Sequence, residues 1–140
     1  MKTSLNLNWK KGMAFETELD GHKIVVDADD AVGGNDLGPR PKPLMLLALA
    51  GCTGMDVVSI LRKMRVELDD FNVVVVANNT DEHPKHYDEM KIIYKFWGND
   101  LPEDKINKAV NLSEERYCGV SFVYRKYIKM STEIQINPDK

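Results

Sequence analysis

The chain has 140 residues, 43% hydrophobic and 29% charged, with a formal net charge of −3 at pH 7; that length suits one domain, residues 1–140, large enough to bury a core. Mild acidity without a basic stripe argues against nucleic acid as a partner, and Met1-Lys2-Thr3-Ser4-Leu5-Asn6 has no apolar h-region and reads as no signal peptide. The longest apolar run falls short of a membrane span, so the expectation is a cytoplasmic protein with no membrane partner, where thiols stay reduced and a purely structural disulfide is disfavoured.

Leu5, Leu7 and Trp9 alternate with polar residues, and Met13, Phe15, Thr17 and Leu19 do so again after Lys11-Gly12. Asp20-Gly21 is a two-residue hairpin signal leading into a strand at Lys23–Val26. Ala28–Lys42, with Gly33, Gly34 and Gly38 and two prolines, is too long for a mere connector and reads as a candidate site loop. Pro43 suits the first turn of a helix reaching Val66, whose first half, apolar all round through Gly51, must be buried on every side. Phe71–Asn79, with four consecutive valines, reads as a strand buried on both faces. After a polar turn at Thr80–Asp88, Met90, Ile92, Tyr94 and Phe96 alternate as its hairpin partner. A second helix opens at Pro102, with Ile106, Ala109, Val110, Ser113 and Tyr117 inward, and Cys118-Gly119 ends or kinks it. Ile128, Met130, Thr132, Ile134 and Ile136 alternate as a last strand. The order β-β-β-α-β-β-α-β is that of an α+β domain with segregated helices.

The chemistry concentrates on the two cysteines of the chain, Cys52 and Cys118. At about 100° per helical residue, Cys52, Asp56, Ser59 and Lys63 fall on one stripe. A thiol heading a carboxylate–hydroxyl–ammonium stripe sits on the edge of a polar site; the competing reading is a small buried hydrophobe, the usual fate of a free cysteine. Cys118 leans further toward that plain role, although Glu114, Glu115 and Arg116 show a wet helix end. One role open to Asp56 is to orient or deprotonate the thiol, but a carboxylate beside a thiolate raises the thiol's pKa, which favours pairing of Asp56 with Lys63 or with a basic group across an interface. Lys10, Lys11 and Arg40 are the cations upstream of the helix. No cofactor is expected: two cysteines plus His22, His83 and His86 lack any metal-binding spacing, and Gly33–Gly38 lacks the Lys-Ser/Thr of a phosphate loop.

Pro43-Leu-Met-Leu-Leu-Ala-Leu-Ala-Gly-Cys52-Thr-Gly-Met-Asp-Val-Val-Ser-Ile-Leu-Arg-Lys, with Asn111-Leu-Ser-Glu-Glu-Arg-Tyr-Cys118-Gly-Val-Ser downstream, resembles the OsmC/Ohr family. The Met-Asp-Val-Val-Ser-Ile-Leu stretch resembles its branch of YhfA-like proteins, and the order of elements fits along nearly the whole chain. The resemblance implies an OsmC-like fold of antiparallel sheets around a buried central helix, and an intertwined homodimer with sites at the interface. It implies a thiol peroxidase that reduces a small organic hydroperoxide, Cys52 being peroxidatic and Cys118 resolving, with a dithiol reductant returning the electrons. The family's usual carboxylate ten residues before the first cysteine is Lys42 here, and no arginine precedes Arg40, so Lys11 or Arg40 is the candidate substitute for the family's cation, the competing reading of each being a plain surface charge. The alternative is a non-catalytic protein binding a small hydrophobic ligand in the same interface pocket.

Overall fold

Asp20 and Gly21 both take positive φ, 51° and 79°, the left-handed pair whose twist matches flanking strands. They set Leu19 opposite His22 in a hairpin of β2 (Phe15–Leu19) and β3 (His22–Val26). The computed structural model describes residues 1–140, which form two compact units, Met1–Met45 and Leu46–Lys140.

In the first unit, β1 is only Asn8–Trp9, antiparallel to β2 in a sheet of order β1-β2-β3. The alternation at Leu5 and Leu7 does not extend it. Lys11 and Gly12 turn tightly with positive φ of 82° and 57°, and the Thr17 hydroxyl donates to the Asn6 carbonyl at 2.7 Å, outside the paired β1 residues Asn8 and Trp9. The loop after β3 is organised by Asp27. Its buried carboxylate accepts backbone N–H groups from Ala28 at 2.8 Å, Asn35 at 3.1 Å and Leu37 at 3.2 Å. This closes the loop on itself so tightly that a Cβ on Gly34 would lie 2.0 Å from the Ala28 carbonyl oxygen, and one on Gly38 2.1 Å from that of Val25.

The second unit is built around β5 (Tyr87–Trp97), central in a sheet of order β4-β5-β6. Met90, Ile92, Tyr94 and Phe96 are buried on one face of β5, as their alternation requires. Burying an apolar side chain of this size contributes about 1.5–3 kcal/mol. β4 (Asp70–Asn79) pairs antiparallel with β5, but β6 (Lys129–Ile136) runs parallel to it, which departs from all-antiparallel sheets. The valine run is not buried on both faces: β4 is an edge strand, and Val76 is 55% exposed.

α1 (Leu44–Lys63) buries one stripe, Leu49, Thr53, Val57 and Leu61, at the i, i+4 spacing of a single helix face. Its Gly54 lies against Phe71 and Val73 of β4. Burial of its first half on every side is not met within the chain, since Leu47 is 65% exposed, and Met55 further along is 76% exposed. Apolarity runs on past the Leu44–Gly51 stretch, so α1, with 20 residues and a mean hydropathy of 2.0 over its most apolar window, is long and apolar enough to cross a membrane. Its middle is nevertheless pinned to the sheet through Thr53, as described below.

α2 (Glu103–Leu112) ends in a π-turn, Ser113–Tyr117, and a short α3 (Gly119–Tyr124) follows where the sequence shows no clear pattern. The π-turn is closed by the Cys118 amide donating five residues back to the Ser113 carbonyl at 2.8 Å. One extra residue in the turn re-phases the inward face. Ile106, Ala109, Val110 and Ser113 are buried as expected, but Tyr117 swings out to 57% exposure and Cys118 takes the inward position at 2%. The Tyr117 expectation is thereby corrected.

Candidate functional site

Cys52 is half-buried on α1, and Cys118 is buried where the chain breaks from helix, at φ −77° and ψ 102°. Both are free thiols. The two Sγ atoms and an Asp56 carboxylate oxygen all lie within 4.8 Å of one another. Asp56 and Cys52 meet because they are one helical turn apart; Cys118 meets them because the π-turn moved it inward. Inserted π-turns recur at functional sites for this kind of re-aiming.

The Ser121 amide donates to Cys118 Sγ at 3.3 Å, so the thiol caps α3. Burial pushes the Cys118 thiol up to about 11; the Ser121 amide works against that rise, and the adjacent Cys52 sulfur adds to it. Cys118 therefore enters any chemistry at neutral pH as a protonated thiol. As donors for a metal, Cys52, Cys118 and Asp56 are three, one short of a closed tetrahedral set.

Behind the sulfurs runs a row of polar groups that sequence reasoning missed. Ser113 Oγ lies 3.0 Å from Asp56 Oδ2 and 2.7 Å from Thr53 Oγ1; Thr53 Oγ1 lies 2.7 Å from the Tyr94 hydroxyl, which lies 2.9 Å from Glu114 Oε1. Thr53 and Ser113 are fully buried. Burial, reinforced by the Glu114 carboxylate, raises the Tyr94 phenol, which stays protonated. The Thr132 hydroxyl donates to both Glu114 oxygens, at 2.7 and 2.9 Å. The available signal was Thr53 itself, a hydroxyl on the buried stripe of an apolar helix.

Of the other candidates, Asp56, Ser59 and Lys63 line one groove of about 530 Å³ with Tyr117, as the stripe implies. Arg40 donates to the carbonyls of Asp27 and Gly38, each at 3.1 Å, and to the Asp36 carboxylate. Lys11 Nζ sits 4.9 Å from the centre of the Trp9 ring.

Residues 33–133 match the family model described as OsmC-like protein. The chain is 30% identical over 131 residues to protein YhfA of Escherichia coli K12, covering 93% of this chain and 95% of that protein. A solved hypothetical protein from Aquifex aeolicus superposes with a TM-score of 0.81 at 28% identity, covering 99% of this chain and 100% of that one. The organic hydroperoxide resistance protein OhrB of Bacillus subtilis superposes with a TM-score of 0.66 at 16% identity, covering 96% and 98%, a likeness of fold.

Proposed function

As the chain belongs to the OsmC-like protein family, we propose that it is a thiol-dependent redox protein that reduces small organic hydroperoxides, with Cys52 peroxidatic and Cys118 resolving. The observation that carries this reading is the meeting of both sulfurs and the Asp56 carboxylate within 4.8 Å. A thiolate attacks the O–O bond, and the sulfenic acid it becomes must find a second thiol before it is oxidised further. Sulfurs this close need only a modest approach to form the bond. Half-buried Cys52 is the one a substrate reaches, and buried Cys118 is the one kept for resolution. The Bacillus subtilis neighbour is named for organic hydroperoxide resistance, which agrees with this chemistry. In this proposal a dithiol reductant closes the cycle, and the protein works in the cytoplasm.

A homodimer belongs to the same proposal. Leu47 and Met55, large apolar side chains on a strongly apolar helix, stand exposed in the single chain, and a second copy is the natural cover for them. Sedimentation at low micromolar concentration should give a dimer; a stable monomer sinks this part.

Titration with cumene hydroperoxide tests the chemistry. The expected result is loss of both thiols per equivalent of peroxide and one intrachain Cys52–Cys118 bridge by mass spectrometry. Cys52 found only as sulfinic acid with Cys118 untouched removes the resolving role. One observation favours a second reading, binding of a small hydrophobic ligand: an apolar groove of about 420 Å³ runs along α1 between Gly51, Gly54, Met55 and Val58 and the β4 residues Phe71 and Val73. Thiols inert to both peroxide and alkylation would favour it.

A further inference from the structure

The row Asp56–Ser113–Thr53–Tyr94–Glu114 contains four contacts of 2.7–3.0 Å between oxygens. Each such contact needs one hydrogen between its oxygens. Three hydroxyls supply three hydrogens. If both carboxyls were ionised, Ser113 would donate to Asp56 and Tyr94 to Glu114. Thr53 could then fill only one of its two 2.7 Å contacts, leaving two oxygens facing each other bare in a buried site. The longer alternative for Ser113, donation to the Thr53 carbonyl at 3.4 Å, takes a hydrogen away from the row and deepens the deficit. A fourth proton closes it, and only a carboxyl can carry that proton.

We infer that Asp56 and Glu114 share one proton across Ser113, Thr53 and Tyr94, that it resides on Asp56 in the reduced protein, and that Asp56 is therefore a proton donor at the thiol site. The ends of the row decide where it resides. Glu114 accepts from Tyr94 and from the one Thr132 hydroxyl hydrogen, shared between its two oxygens, and Arg125 donates to its backbone carbonyl and to Ser121 beside it, so negative charge is well held there. Asp56 has Ser113 as its hydroxyl partner and faces Cys52 and Cys118, with Lys63 and Tyr117 on the wall of the same groove. With the proton on Asp56, every hydroxyl points toward Glu114 and all four contacts are filled. A neutral Asp56 also removes the conflict of a carboxylate beside a thiolate.

The catalytic part of this inference rests on the peroxidase reading. The Cys52 thiolate takes the terminal oxygen of the hydroperoxide as sulfenic acid; the O–O bond breaks, its electron pair leaves with the alkoxide, and the Asp56 proton converts alkoxide to alcohol. Asp56, now a carboxylate, takes the proton from the Cys118 thiol as that sulfur attacks Cys52, and passes it to the departing hydroxide, giving water and the disulfide. A dithiol reductant returns two electrons and two protons, one proton to Cys118 and one to Asp56, while Cys52 leaves as thiolate.

Infrared spectroscopy of the reduced protein at neutral pH, with aspartate carbon-13-labelled, reads the proton without any peroxide. A protonated-carboxyl band that shifts with the aspartate label, vanishes in Asp56→Asn and persists in Glu114→Gln is expected. Thr53→Val is the decisive variant: it keeps the side-chain shape but splits the row, leaving Ser113 to donate to Asp56 and Tyr94 to Glu114, so the band should vanish there too. A band that survives Thr53→Val, one that follows a glutamate label instead, or no band at all overturns the inference. In single turnover with cumene hydroperoxide, Thr53→Val should slow Cys52 oxidation by about a hundredfold, the scale of a lost general acid; an unchanged rate removes the donor role. If the band is present but the wild type ignores hydroperoxide, the shared proton stands and the peroxidase reading alone falls.

Discussion

Two aspartates, Asp27 in the first unit and Asp56 in the second, have been given opposite surroundings by the same chain. Asp27 is buried among three backbone N–H donors. Burial alone would push its carboxyl up, but the amides of Leu37, Ala28 and Asn35, with Arg40 nearby, outweigh it and hold the group below its ordinary 3.8. Asp56 meets one hydroxyl and two sulfurs. A carboxylate saturated with fixed donors is locked as an anion and organises backbone; one with a single, reversible hydroxyl partner can exchange a proton. The difference separates a group that builds a loop from a group that can do chemistry.

The largest effect should come from the loop that Asp27 organises. A Cβ at Gly34 would stand 2.0 Å from the Ala28 carbonyl oxygen and 2.8 Å from its Cα, with backbone rather than a flexible side chain in the way. Gly34→Ala should lower the melting temperature by on the order of 10 °C or prevent folding of the loop. An unchanged melting temperature would mean that the loop is not packed as described.

Exchanging each carboxyl for an amide breaks the comparison more directly. In Asp27→Asn, whichever oxygen becomes NH₂ faces an N–H donor, since Ala28 uses one oxygen and Asn35 and Leu37 the other. Melting should fall by roughly 5–10 °C. The pH dependence has a definite sign. Because the folded Asp27 carboxyl lies below its unfolded value near 3.8, its stabilisation is fully present above that value and disappears as pH falls through the lower, folded one. Wild type should therefore lose stability below about pH 4 more steeply than Asp27→Asn; parallel acid melts would contradict the donor count around Asp27. Asp56→Asn should do the reverse. Its amide can donate to Ser113 as the protonated carboxyl does, so melting should move by no more than about 2 °C, while oxidation of Cys52 by hydroperoxide slows about a hundredfold.

The sequence made the frame of this contrast legible but not its content. Alternation at Met90–Phe96, the Asp-Gly turn and the apolar stretch after Pro43 each report local physics, and each element formed. Cys52 and Asp56 were likewise visible, because one helical turn is a fixed spacing. What stayed hidden depends on long-range register. A π-turn leaves no periodic trace, so Tyr117 looked inward where Cys118 is. Asp27 drew no reading, falling between strand and loop, because two of its three donors come from eight and ten residues downstream. Thr53, Tyr94 and Ser113 are far apart in sequence and meet only when α1, β5 and the end of α2 pack.

The smallest effect concerns two cations of the first unit, Arg40 and Lys11, and it again turns on how a group is partnered. Arg40 is engaged by the Asp36 carboxylate and by two carbonyls; the Asp36 side chain, and the charges of Asp36, Asp29 and Asp27, raise the guanidinium's own value. A cation matched by that many anions projects little field beyond them. Lys11 instead rests on the Trp9 ring, a contact that leaves its full charge in place. Lys11→Ala should therefore leave the melting temperature within about 2 °C, since only one exposed cation–ring contact is lost. Arg40→Ala should lower the melting temperature by a few degrees, as a loop strap would. The opposite pattern, an unchanged melting temperature in Arg40→Ala and a lower one in Lys11→Ala, would contradict the partners counted around Arg40 and, with them, the picture of the Asp27 loop as the anchored part of the first unit.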